Sequence, residues 1–147
     1  SVIYNPVLDE LYTAEKGGGA WMNDRKRLRV AGRKHLADTV IVTGINSQGR
    51  ALDLLQLKQL AQVTPAVAGI RRLGSSALDL AWVAAGRYDA YYERNLQPWD
   101  VAAGILFVTE AGGVVTTIDG EGRPETGAQI LATNSELHPQ LLKVLRG

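Results

Sequence analysis

Apolar residues along this chain follow two patterns, one typical of strands and one typical of helices. The two patterns alternate repeatedly after residue 38. Short apolar or β-branched runs predict strands, while longer runs with apolar residues three and four apart predict helices. Strands are expected at residues 39–43, 67–71, 89–93, 114–117 and 130–133, and helices at residues 51–62, 77–85, 98–110 and beyond residue 135. This alternation is typical of a layered α/β domain.

The first thirty residues follow a different pattern, in which short strand-like runs alternate with turn residues. The runs fall at residues 2–6, 12–15, 20–22 and 26–30. They predict an antiparallel meander, which could extend the main sheet or pack beside it. The glycines at 17–19 predict a plain turn, because a phosphate loop needs a helix behind it. The basic residues at 25–34 predict a solvated hairpin edge rather than a nucleic-acid surface.

These patterns predict one α/β domain over residues 1–147, with a layered mixed β-sheet, flanking helices and a preceding antiparallel β meander. The length of 147 residues and the 46% hydrophobic content suit a single core. The chain begins within a strand pattern, without Met or a leader. We therefore expect it to be a fragment of a longer protein.

Composition narrows the possible functions. The formal net charge is +1, so overall charge does not favour nucleic acid or a membrane surface as a partner. The absence of cysteine excludes disulfides and thiolate metal sites and is compatible with a reducing compartment. No apolar run approaches the ~18 residues that span a bilayer. We expect a cytoplasmic protein that does not bind membranes.

The junction between the strand at 89–93 and the helix at 98–110 carries the most promising polar residues. Glu93 ends the strand, and Asp100 falls in the first turn of a helix that Pro98 begins. Ligands bind open α/β sheets at such carboxyl ends of strands. An acid in a first helical turn also complements the helix dipole, so Asp100 has a structural explanation as well. Trp99 beside it is expected to be a core residue.

Other catalytic chemistries find little support. His35 and His138, the two histidines, are expected to be ordinary surface residues. The chain contains no Gly-x-Ser-x-Gly elbow, Gly-x-Gly-x-x-Gly or Walker sequence, and no cluster of zinc ligands. Carboxylate chemistry remains, centred on Glu93 and Asp100.

Several sequence blocks occur in an order that is informative when they are taken together. They are SVIYNP at 1–6, YTAEKGGGA at 12–20, RLGSSALDLA at 72–81, YE at 92–93, PWDVAAG at 98–104 and EAGG at 110–113. This arrangement resembles the inositol monophosphatase family, whose C-terminal signature contains the Trp-Asp-x-Ala-Ala-Gly block followed by Glu-Ala-Gly-Gly. The resemblance covers essentially the whole chain.

The resemblance implies a Mg²⁺-dependent phosphomonoesterase acting on a polyol or sugar phosphate such as inositol monophosphate. By that resemblance Asp100 is a metal ligand that takes part in catalysis and contacts the substrate. Glu93 contacts substrate hydroxyls. The turn formed by Gly74, Ser75 and Ser76 also lies on the substrate, which suits hydroxyl and backbone N–H groups at a helix start.

One departure from the family pattern limits this expectation. The family's other metal ligands come from an upstream Glu-Glu and an Asp-Pro-x-Asp-Gly-Thr segment, and neither occurs in this sequence. The chain resembles the C-terminal half of the family's fold, without the N-terminal metal-binding half. Asp100 alone would hold Mg²⁺ weakly. We therefore expect the isolated chain to have little or no phosphatase activity.

Two alternatives belong to other classes of function. A non-catalytic binding or assembly module that retains the fold would explain the missing ligands. A basic nucleic-acid binder using residues 25–34 is the weakest reading, because that run lacks base-stacking aromatic residues. Whether the chain is part of a phosphatase or a non-catalytic module, the expected partners are the upstream half and a second copy of the chain. An unpartnered half would expose apolar surface, and such surface favours homo-oligomers.

Overall fold

The computed structural model describes residues 1–45, 53–120 and 122–147 and has an α/β architecture with two sheets. The first sheet is antiparallel, in the order β1-β2-β3-β4, with β1 at Val2–Asn5, β2 at Glu10–Glu15, β3 at Gly19–Met22 and β4 at Lys26–Arg27. The second has the order β6-β5-β7-β9-β8, with β5 at Val40–Thr43, β6 at Gly69–Arg71, β7 at Ala90–Arg94, β8 at Val114–Thr116 and β9 at Gln129–Thr133.

Four helices complete the described fold: α1 at Leu54–Val63, α2 at Ser76–Ala84, α3 at Pro98–Glu110 and α4 at His138–Arg146. In the second sheet β5 runs parallel to β6 and β7, whereas β9 is antiparallel to β7 and β8. The mixed sheet with flanking helices confirms the fold class expected from the sequence.

Side-chain alternation along the second sheet explains its position between two pairs of helices. On β7, Tyr91 belongs to a core that includes residues of α2, α3 and the first sheet. Its neighbour Tyr92 belongs to a second core, shared with α1 and α4. Because successive strand residues face opposite sides, each face of the sheet buries a separate core. The layers therefore run first sheet, α2 and α3, second sheet, α1 and α4.

The meander forms its own sheet and does not extend the main one. Tyr12 of β2 packs edge-on against Phe107 of α3, with ring centroids 6.3 Å apart. The strand expected at residues 26–30 is shorter than predicted. The Leu28 amide still donates to the carbonyl of Ala20 on β3 at 2.8 Å, but the Val30 amide donates to the carbonyl of Ala111 at the end of α3 at 3.1 Å.

Local capping signals locate most of the helix ends. Asp53 caps α1 by accepting hydrogen bonds from the amides of Leu55 and Gln56 at 3.0 and 3.2 Å. The expected start of this helix, at residue 51, lies outside the described residues. Gly86 follows α2 with a φ of 72°, which glycine adopts without the steric penalty of a Cβ. Pro98 begins α3, as the sequence predicts.

The prediction for His138 is wrong. Its side chain is buried at the start of α4, with a relative exposure of 7%. Each ring nitrogen lies at hydrogen-bond distance from a threonine hydroxyl, Nε2 from Thr116 at 2.9 Å and Nδ1 from Thr133 at 3.0 Å. Burial lowers the pKa of His138. The residue therefore ties α4 to β8 and β9 and is not a surface histidine.

Among the helices that the structure describes, none is long and apolar enough to cross a membrane.

Candidate functional site

A cavity of about 460 Å³ opens where β5 and β7 end and where α2 and α3 begin. This is the edge of the sheet at which the sequence predicts ligand binding. All five residues expected at the site lie on its wall, although they come from separate parts of the chain. Its lining consists of Gly44, Ile45, Arg72, Gly74, Ser75, Ser76, Ala77, Asp79, Glu93, Leu96, Trp99 and Asp100.

Glu93 occupies the buried side of the cavity, with a relative exposure of 5%. The Tyr91 hydroxyl donates to its Oε2 at 2.6 Å, which fixes the orientation of the carboxylate. Burial raises the pKa of Glu93, and the charge of Asp100 acts in the same direction. Gly44 at the end of β5 lies so close that a Cβ built there would overlap the Glu93 carboxylate. Glycine at position 44 therefore makes room for the acid.

The turn before α2 presents backbone and hydroxyl groups to the same cavity. Gly74 has a φ of 87°, a conformation that favours glycine. Ser75 is the N-cap of α2, and its Oγ accepts from the Leu78 amide at 3.4 Å. This bond uses the oxygen as an acceptor and leaves the hydroxyl hydrogen available for a ligand. Ser76 opens the helix beside it. The positions of Gly74, Ser75 and Ser76 suit the predicted role.

Asp100 combines a structural contact with a position on the cavity wall. It is the third residue of α3, and its Oδ2 accepts from the Gln97 amide at 2.8 Å. The capping bond supports the structural explanation that the sequence allowed. It engages one oxygen only, and the carboxylate has lone pairs for further partners. Trp99 beside it is 76% exposed, so the prediction that it is a core residue is wrong.

The described residues do not complete a metal site by themselves. No group of three or more His, Asp or Glu residues suitable for a metal ion occurs among residues 1–45, 53–120 and 122–147. Asp100 nevertheless fits one part of a Mg²⁺ site, since Mg²⁺ in phosphate-transfer sites is held by one or two carboxylates with water and phosphate oxygens. The remaining ligands would have to come from outside these residues.

Asp79 and Arg72 line the cavity but were not predicted to be site residues. Asp79 is 1% exposed, and burial raises its pKa to about 7, with a smaller contribution from the charge of Glu93. The sequence contains a signal for Asp79, because it is the one charged residue in the otherwise apolar α2. Arg72 donates to the carbonyl of Ile45 at 2.8 Å, and its charge opposes the rise in the pKa of Glu93.

The fold and cavity define a layered α/β protein with an acidic, hydroxyl-lined cavity at the carboxyl ends of its strands. The profile of the inositol monophosphatase family matches residues 1–147. This chain belongs to that family.

Individual relatives agree with this assignment. An inositol-1-monophosphatase of Caulobacter vibrioides is 51% identical over 99% of this chain and 57% of its own length. The extragenic suppressor protein suhB of Bartonella henselae has a crystal structure with a TM-score of 0.90 and 49% identity, over 99% of this chain and 58% of that one. A Nus factor SuhB of Xylella fastidiosa is 42% identical over 99% of this chain and 54% of its own length. The chain thus spans little more than half the length of these relatives.

Proposed function

We propose that this chain supplies one metal ligand and the alcohol-binding side of a site that hydrolyses phosphomonoesters of a polyol or sugar. The observation that supports this most directly is that the candidate residues meet at one cavity. Gly74, Ser75, Ser76, Glu93 and Asp100 come from two separate strand-to-helix junctions and line one cavity. Membership of the inositol monophosphatase family gives the chemistry, since relatives in this family are named as phosphatases.

Each residue would have a role that follows from its position. Asp100 would hold Mg²⁺ through the carboxylate oxygen that the capping bond leaves free, and would thereby fix the phosphate end of the substrate. When bound, Mg²⁺ supplies positive charge that stabilises the phosphoryl group during transfer. Glu93, held by Tyr91, would accept hydrogen bonds from substrate hydroxyls. Ser75 would donate to the same alcohol portion. Ser76, whose side chain hydrogen-bonds to Tyr91, would help to position that tyrosine.

The isolated chain should not perform this reaction, because the described residues provide a single suitably placed metal carboxylate. A hydrolytic centre needs several carboxylates to hold its metal ions around the phosphate. The missing ligands would come from an upstream half, and the curated relatives are long enough to contain one, since this chain covers only 57% and 54% of two of them. We propose that this half packs against the first sheet.

Exposed apolar side chains support that docking position. Val2 and Tyr4 on β1 are 65% and 53% exposed, and Val7 and Leu8 just beyond it are 88% and 55% exposed. Within the described residues β1 pairs with β2 only, so its other edge is available. Without a covering partner such a surface promotes association. We therefore expect the isolated chain to form homo-oligomers, which light scattering measures.

A chimera tests the proposal. The upstream part of the Caulobacter vibrioides relative is fused to this chain, and phosphate release from inositol 1-phosphate is measured with and without Mg²⁺. The chimera should be active with Mg²⁺ and the 147-residue chain inactive. Asp100→Asn in the chimera should lower kcat at least about 100-fold, since it removes a metal ligand worth several kcal/mol in the transition state. Asp38→Asn, at an exposed position outside the cavity, is the matched control.

Two results would contradict different parts of this proposal. Full activity of the Asp100→Asn chimera would remove Asp100 from the metal site. Robust, Asp100-dependent phosphate release by the 147-residue chain would show that the upstream half is dispensable.

A second candidate is a non-catalytic assembly module. The observation that favours it is the relative in Xylella fastidiosa whose name is Nus factor SuhB. The chimera separates the two functions, because an assembly module would fold and associate without Mg²⁺-dependent phosphate release.

A further inference from the structure

Asp79 is an acid in an unusual place for an ionisable side chain. It lies in the first turns of α2, which is otherwise composed of apolar and small residues. Its relative exposure is 1%, yet it forms part of the cavity wall. Acids are almost never buried to this degree unless they are paired, because removing a charge from water is costly.

The partners of Asp79 distinguish it from the other deeply buried aspartate, Asp89. Asp89 is 3% exposed, and its two oxygens accept from the Arg33 guanidinium at 3.1 Å and the Val40 amide at 2.8 Å. That arrangement is typical of a structural acid. In contrast, Oδ1 of Asp79 is buried and has no hydrogen-bond partner among the described residues. A buried polar atom of this kind needs a partner. Asp79 lines the cavity, so a ligand there would supply one once the side chain turns towards it.

Glu93 lies on the same cavity wall and provides a second carboxyl group. Its Oε2 accepts from Tyr91, and its charge acts on Asp79. Burial favours the protonated form of Asp79, and the negative charge of Glu93 acts in the same direction. The pair then offers a carboxylate that accepts hydrogen bonds and a carboxylic acid that donates one.

We propose that Asp79 contacts the substrate alcohol and, together with Glu93, selects ligands that carry two neighbouring hydroxyl groups. One hydroxyl donates to Glu93, and the adjacent hydroxyl accepts from the Asp79 carboxyl group. This inference rests on the proposed function, because it assumes that the Glu93 side of the cavity receives the alcohol. It adds a specificity-determining residue and a reason for preferring polyols over simple alcohols or phenols.

The test measures alcohol binding without metal, phosphate or turnover. The 147-residue chain, labelled with ¹³C and ¹⁵N, is titrated with myo-inositol and separately with cyclohexanol, which has the same ring and one hydroxyl. Weak binding in the millimolar range is sufficient for detection by NMR. Myo-inositol should shift the carboxyl carbons of Asp79 and Glu93, whereas cyclohexanol should bind more weakly and leave the Asp79 carboxyl signal unchanged.

Two substitutions of Asp79 separate a direct contact from a structural role. Asp79→Asn keeps a donor and an acceptor without charge, so the Kd for myo-inositol should stay within about threefold of the original. Asp79→Leu keeps the size but removes both, and should weaken myo-inositol binding about tenfold while leaving cyclohexanol binding unchanged. Asp38→Asn again serves as the control. The amide spectrum of each variant shows whether it has folded.

The outcomes are decisive even if the leucine variant fails to fold. An unshifted Asp79 carboxyl signal at saturating myo-inositol, or no binding of myo-inositol by the folded chain, would overturn the inference. Equal binding by the folded leucine variant would do the same. If the Asp100-dependent chimera is active and Asp79→Leu changes KM for inositol 1-phosphate and an aryl phosphate equally, this inference fails and the proposed function stands. If the chimera is inactive but binding of myo-inositol depends on Asp79, the proposed function fails.

Discussion

Replacing Asp79 by Asn should stabilise the chain, and the gain should depend on pH. Asp79 has an ordinary pKa of 3.8 in an unfolded chain and a pKa of about 7 in the folded state, mainly because it is buried. Below pH 3.8 the side chain is neutral in both states, as Asn is at every pH. Above that value the unfolded state releases a proton that the folded state retains, so the folded state loses stability as pH rises through the folded pKa.

The magnitude follows from the difference between the two pKa values. Each pH unit corresponds to about 1.4 kcal/mol. The advantage of Asp79→Asn in the free energy of unfolding should therefore be at most about 2 kcal/mol at pH 5, and should level off at up to about 4 kcal/mol above pH 7.

Urea denaturation at pH 5, 6, 7 and 8, followed by far-ultraviolet circular dichroism, measures this difference. Asp79→Asn and the unchanged chain are compared at equal protein concentration, since self-association adds to apparent stability. Asp38→Asn, at an exposed position, should show no such trend. A difference that stays constant with pH, or that favours Asp79 at pH 8, would refute the assignment of Asp79 as a buried acid whose ionisation is opposed by its surroundings.

Two further predictions concern glycines that allow close contacts. Gly44→Ala should weaken myo-inositol binding about as much as Glu93→Ala does, because the Cβ of the new alanine would overlap the Glu93 carboxylate. The NMR titration with myo-inositol measures this effect, and unchanged binding would contradict the prediction. Gly104→Ala in α3 should cost about 1–3 kcal/mol through overlap with Leu80 of α2, although helix propensity alone predicts a gain of about 1 kcal/mol. Urea denaturation gives the sign, and Leu80→Ala in the double variant should relieve only part of the overlap, because the Cβ of residue 80 remains 2.4 Å from the added methyl group.

Much of the secondary structure could be predicted because its causes lie within a few residues along the chain. Ser75, Gly86 and Pro98 mark the ends of α2 and α3 through capping and backbone sterics. The alternation of faces in β7 follows from the geometry of an extended chain. The predicted length of β4 was wrong because its end depends on a contact with the end of α3, where Val30 bonds to Ala111.

The lining of the candidate site was predicted in part. The resemblance of sequence blocks named Asp100, Glu93 and the turn at 74–76, and the structure places them on one cavity. It did not name Asp79, although Asp79 is the one charged residue of α2, because the local sequence does not show whether that residue faces water or the cavity. His138 and Trp99 were misjudged on the same ground. Burial depends on which elements pack together, and residue type alone predicts it only on average.

The sequence by itself determined the order of strands and helices, the family, and the polar residues at the two strand-to-helix junctions. Only the tertiary structure decided that the meander forms a separate layer, that His138 is buried between Thr116 and Thr133, and that Asp79 and Glu93 line the same cavity. Periodicity and capping act over three or four residues, so they can be read along the chain. Burial and pKa arise from groups far apart in sequence, and folding must bring those groups together before their effects exist.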